Sequence, residues 1–89
     1  MYLIKYKLDS GMKLGLELVY GFDVRVAINA FYSLHARQEI VPELFDKLIA
    51  KIDLVDAVAF HNALCPSYYI TEIYQCSSNA VYTSLTEEK

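Results

Sequence analysis

The sequence has no tryptophan, two cysteines, two histidines, two prolines and only three glycines, and each scarcity removes a class of function. Two cysteines cannot staple a disulfide-dense scaffold. Cys65 and Cys76 also lack the close spacing that structural zinc sites bring to their cysteine pairs. Gly11, Gly15 and Gly21 match no phosphate-binding loop. No apolar run approaches the ~18 residues of a membrane span. Lys5, Lys7 and Asp9 break the N-terminal apolar stretch, so no secretory signal is read there. Neither sign of charge dominates, and a net charge of −3 argues against general nucleic-acid affinity. The expectation is a cytoplasmic protein with reduced thiols, no membrane association and no cofactor.

What the sequence does have is apolar surface. Its apolar content is 55%, where ordinary domains run at about 45–50% on a count that includes glycine. A chain of 89 residues is about one domain, and folding at that size hides roughly 60–65% of the unfolded surface. Some apolar surface is therefore expected at a contact with a protein partner or a second copy of the chain.

The patterning predicts an α+β domain over 1–85 with a frayed tail at 86–89. Tyr2, Ile4, Tyr6 and Leu8 alternate with Leu3, Lys5 and Lys7. Leu14, Leu16, Leu18 and Tyr20 alternate with Gly15, Glu17 and Val19. This reads as an antiparallel hairpin, 2–8/14–20, with one apolar face. Keeping both apolar sets on that face requires an even offset. A three-residue Asp9-Ser10-Gly11 loop opposes Leu8 to Met12. A five-residue loop opposes Leu8 to Leu14 and Lys5 to Glu17, and gives the better cross-strand pairs.

Asp23 is placed to cap a helix over 24–37, whose Ile28 and Phe31 should pack on Ile4, Tyr6, Leu16 and Leu18. Pro42 opens a second helix over 42–52. Leu54–Leu64 fits either a third helix capped by Asp53 or a strand carrying Leu54, Val58 and Phe60, and its alanines favour the helix. Residues 68–76 and 80–85 form a second hairpin around Ser77-Ser78-Asn79. The result is an antiparallel sheet of two hairpins with helices mainly on one face.

Few residues carry candidate chemistry. His61 and Cys65, four apart, would share a helix face, as a zinc pair or a thiol and its base could. No third ligand or orienting group follows at usable spacing, and two buried cysteines beside a part-exposed His61 is the simpler reading. Asp53 and Asp56 are explained by helix capping. Lys5, Lys7 and Lys13 share the outward face of the first hairpin, yet no aromatic is interleaved with them for base stacking. Catalytic and metal-ligating residues are thus not expected.

The tyrosines say more. Of the eight, seven fall in expected strands, and those of the first hairpin, Tyr2, Tyr6 and Tyr20, are read as core. In the second hairpin an odd face carries Tyr69 and Ile73, and an even face Tyr68, Ile70, Tyr74 and Cys76, so neither face is polar. Tyr68, Tyr69, Ile73, Tyr74 and Tyr82 are therefore the candidate partner-binding residues. The functional expectation is a non-enzymatic protein-binding module, an adaptor, regulator or inhibitor acting by surface occupancy and self-associating. The alternative is a nucleic-acid-associated protein using the Lys5/Lys7/Lys13 stripe, and behind both stands an accessory subunit of an enzyme.

Overall fold

The structure, a computed structural model, describes residues 1–8, 13–35, 40–77 and 82–86. Strands β1 (Tyr2–Leu8) and β2 (Lys13–Val19) come first. Helices α1 (Val24–His35), α2 (Pro42–Ile49) and α3 (Leu54–Leu64) follow, then β3 (Tyr68–Cys76) and β4 (Tyr82–Ser84). The two hairpins join through β1 and β3 into one antiparallel sheet of order β2-β1-β3-β4. The α+β architecture expected from the patterning is the one observed. The Asp9-Ser10-Gly11 and Ser78-Asn79 turn residues, Ala36–Arg37 and Glu87–Lys89 lie outside the described residues.

Local chemistry explains where the helices begin. The Asp23 carboxylate accepts from the Arg25 and Val26 amides at 2.9 and 3.0 Å, and Asp53 accepts from the Asp56 amide at 2.9 Å. Each satisfies orphan donors of a first turn. Asp53 thereby settles 54–64 as helix. Pro42 stands at the start of α2, which closes at Ala50 rather than running to 52. Arg25 crosses to α2, donating to the carbonyls of Ile49 and Ile52 at 3.1 and 2.6 Å. Tyr32 stacks on Phe45 with ring centroids 4.0 Å apart, and its hydroxyl donates to the Ile40 carbonyl.

The core lies between the helices and one face of the sheet. Tyr2, Ile4, Val19, Ile70 and Ile73 meet Ala27, Ile28, Phe31, Phe45, Ile49 and Ala57 there, all buried. The tail expected from residue 86 is tethered at its start, because the Thr86 hydroxyl accepts from the Ile73 amide at 3.1 Å.

The register of the first hairpin departs from expectation, and the departure reshapes the surface. Leu8 opposes Lys13, Ile4 opposes Glu17 and Tyr2 opposes Val19, an odd offset. The face of Ile4 therefore continues on β2 as Gly15, Glu17 and Val19, while Leu14, Leu16 and Leu18 turn to the other side. Contacts under α1 account for this. The Tyr6 ring lies across Gly15, where any Cβ would overlap it. Glu17 meets His35, whose Nε2 lies 3.0 Å from Oε1. Leu16 and Leu18 accordingly do not pack beneath α1, and Tyr20, 74% exposed, is not core.

Candidate interaction surface

The face of the sheet turned away from the helices is where the misplaced apolar residues gather. On β2 it carries Leu14, Leu16 and Leu18, 66%, 64% and 49% exposed. Cross-strand pairing places Leu3, Lys5 and Lys7 of β1 beside them. On β3 the same face carries Tyr69, Glu72 and Tyr74, and on β4 Tyr82 opposite Cys76. Lys5 and Glu72 form an ion pair of 3.6 Å in the middle, and the Tyr74 hydroxyl donates to Glu72. Apolar residues thus flank a paired charge, with the leucines concentrated at one edge.

A bulge decides which residues of β3 reach this face. Pairing with β1 slips between Lys5 and Tyr6, so Thr71 is passed over, and its hydroxyl donates to the Lys5 carbonyl at 3.1 Å. An extra residue breaks the two-residue alternation. Ile70 and Ile73 then share the core face, and Tyr69 and Tyr74 share the open one. Of the candidate partner-binding residues, Tyr69 and Tyr82 are exposed and Tyr74 is partly so. Ile73 is fully buried. Tyr68 stacks on His35 at 4.2 Å on the core side. The structure unites Tyr69, Tyr74 and Tyr82 and separates them from Tyr68 and Ile73.

The first hairpin was expected to offer the open side only Lys5, Lys7, Lys13 and Glu17. Leu14, Leu16 and Leu18 stand there beside Lys5 and Lys7, and Lys13 and Glu17 lie on the opposite face. The lysine stripe is therefore split: Lys13 is on the other side and Lys5 is engaged with Glu72. Sequence reasoning missed Leu14, Leu16 and Leu18 as surface residues. The signal that could have found them is Gly15 inside the strand, since a strand glycine often marks a close approach.

The remaining chemistry is internal. His61 is fully buried rather than part-exposed, and its Nδ1 lies 3.0 Å from the Asn62 Oδ1. Asn62 Oδ1 accepts from the Ile70 amide and Nδ2 donates to the Ile70 carbonyl, so Nδ1 of His61 carries its proton and donates. The imidazole ring lies among Phe31, Tyr32 and Phe45, and its buried Nε2 has no hydrogen-bond partner among the described residues. Burial holds the imidazole below its ordinary range; the Asn62 bond opposes that shift and nearby His35 adds to it. Burial likewise pushes the Cys65 thiol up, away from nucleophilic thiolate. Burial, then the Glu17 carboxylate, raise the Tyr6 phenol.

Among the described residues no group of three or more His, Cys, Asp and Glu is placed to hold a metal ion. An open groove of about 410 Å³ runs between α3 and β3. Of its polar side chains, Asn62, Thr71 and Thr86 are already bonded within the protein and only the exposed Tyr69 is left, so no polar groups converge on a ligand. No described helix is long and apolar enough to cross a membrane. No family model matches this sequence, and no curated protein or solved structure matches it either.

Proposed function

We propose that this protein is a non-enzymatic binding module of the cytoplasm that acts by occupying a protein surface, with β2 and the adjoining part of the open sheet face as its contact. The observation that carries this is the row of Leu14, Leu16 and Leu18, each at least 49% exposed on neighbouring positions of one strand. Scattered surface leucines need no explanation, whereas a contiguous apolar row beside Leu3, Tyr74 and Tyr82 marks a contact site. Tyrosine suits such a surface, because it offers a large apolar ring with a polar tip. The unpaired thiols of Cys65 and Cys76 support the location.

The test is photo-cross-linking inside cells from a reactive residue at position 16, with position 47 on α2 as control. Protein binding predicts discrete protein adducts at 16 that disappear in Leu14→Ser/Leu18→Ser. The proposal fails if position 16 yields no protein adduct, or only those equally captured from position 47.

A further inference from the structure

Resting on that reading, we propose that the occupant is a second copy of this chain, joined edge to edge through β2 about a twofold axis at Leu16. The two edges of the sheet are finished in different ways. Beyond β3 the outward backbone groups of Ile70 and Ile73, which β4 does not reach, have been given partners. The Leu85 amide donates to the Ile73 carbonyl at 2.8 Å, Thr86 accepts from the Ile73 amide, and Asn62 takes both backbone groups of Ile70. Strand β4 itself is three residues long. At the other edge β2 is seven residues long and free of proline, and among the described residues nothing bonds its outer side. Natural sheets shorten, cover or pair such an edge, and this one is neither shortened nor covered.

The pattern along β2 is self-complementary. Leu16 is the middle of the strand, so an antiparallel copy centred there overlaps all of it. Leu14 then stands opposite the second copy's Leu18, and Leu16 opposite itself. On the helix side Lys13 falls diagonal to the second copy's Glu17, an opposite-charge neighbour. The residue on a twofold axis meets its own kind, as an isologous contact requires.

The helix layer is prepared along the same flank. Arg25 and Tyr32 turn one side of α1 toward α2. Val26, Ala30 and Leu34, spaced four apart, occupy the opposite side, and Leu34 is 68% exposed. Helix α1 is the one that packs on β2 and α3 the one on β3, and Val26 lies close to Gly21 just past the end of β2, which sets this side of α1 toward the β2 edge. A copy joined at β2 would bring two such helix flanks together. A partner laid on the open face would instead have to cover Lys5, Glu72 and Lys7, at a desolvation cost.

A seven-residue strand is about 23 Å long, and sheet plus helix layer give a flank about 20 Å deep, so each copy offers about 460 Å² in projection. That sits just below the ~600 Å² per partner of the smallest specific interfaces. The dimer is therefore a weak one, and its assay must reach high concentration.

Sedimentation velocity of the purified chain from micromolar to near-millimolar tests this. Wild type is expected to pass from monomer to dimer. Leu16→Lys and Leu16→Asp are each expected to weaken dimerisation on the order of tenfold or more, from like charges meeting on the axis. Circular dichroism should stay unchanged, since Leu16 is a surface residue. An equimolar mixture of the two should restore the dimer. Ala30→Arg should weaken it, and Lys47→Glu, exposed on α2 and away from the β2 edge, should not. Monomeric wild type throughout, a dimer indifferent to Leu16→Lys, or no rescue on mixing would overturn the proposal. If wild type stays monomeric while position 16 still cross-links to a different protein, the second copy is wrong and protein binding stands. If neither species is captured, both fall.

Discussion

The ring of Tyr6 lies across Gly15 on the neighbouring strand, held there by Phe31 at 5.0 Å, Tyr68 at 5.8 Å and His35 at 6.1 Å. With rings on three sides, Tyr6 has no room to yield to a methyl group. Gly15→Ala is expected to destabilise the fold by about 1–3 kcal/mol, the usual cost of overpacking. Urea denaturation measures it. In a Tyr6→Leu background the same substitution should cost distinctly less, because the two sites are in contact. Equal costs in both backgrounds would mean that the ring does not require the glycine.

Asn62 completes backbone groups of β3 that β4 does not reach. Asn62→Ala leaves the Ile70 amide and carbonyl and the His61 Nδ1 proton unpaired in the interior. A loss of about 2–4 kcal/mol is expected, since each buried orphan costs on the order of 1–3 kcal/mol and water relieves some. A loss below about 1 kcal/mol in urea denaturation would contradict this role.

Burial lowers the His61 pKa in the folded protein below its ordinary value of 6.5. Between the two values the unfolded chain binds more protons, so stability rises with pH there. The contribution of neutral His61 is fully present above about pH 6.5 and is lost as pH falls toward the folded value. Urea midpoints of wild type and His61→Leu, compared from pH 7.5 down to 5, should show the steeper fall in wild type. Parallel curves would remove His61 as the cause.

Arg25 joins α1 to the end of α2 and the turn after it through the carbonyls of Ile49 and Ile52, the first of which also accepts from the Ile52 amide. Arg25→Met keeps much of the apolar stem and removes both bonds. A loss of about 1–2 kcal/mol is expected, scaled down from a buried charged hydrogen bond because the site is part-exposed. Arg25→Lys should recover only part of it, for a single ammonium lacks the planar fork.

Much of the fold was legible in the residues themselves. The alternation of β1, the Asp23 and Asp53 caps, Pro42 and the Tyr/Ile/Thr-rich β3 each state a local preference that the tertiary structure kept. What misled was the rule that apolar sets meet on one face. In β2 the stronger demands were a glycine beneath Tyr6 and a carboxylate beside His35, and both lie on the face without the leucines. In β3 the spacing of Ile70 and Ile73 already broke the two-residue period, which is how a bulge looks in sequence. Asn62 was hidden inside a helix apolar on most sides, where a lone polar residue reads as surface. The candidate surface was legible by half: Tyr69, Tyr74 and Tyr82 stand on it, and the leucines that extend it were assigned to the core.

Hydrogen exchange along β2, compared between low-micromolar and near-millimolar protein, reads the proposed edge contact amide by amide. If β2 is the edge at which two copies meet, its outward amides exchange quickly in the dilute sample and become protected in the concentrated one. The amides of β3 and α3 should keep the same rates in both. Exchange in β2 that does not change with concentration, or protection that appears instead on β3 and β4, would contradict the account.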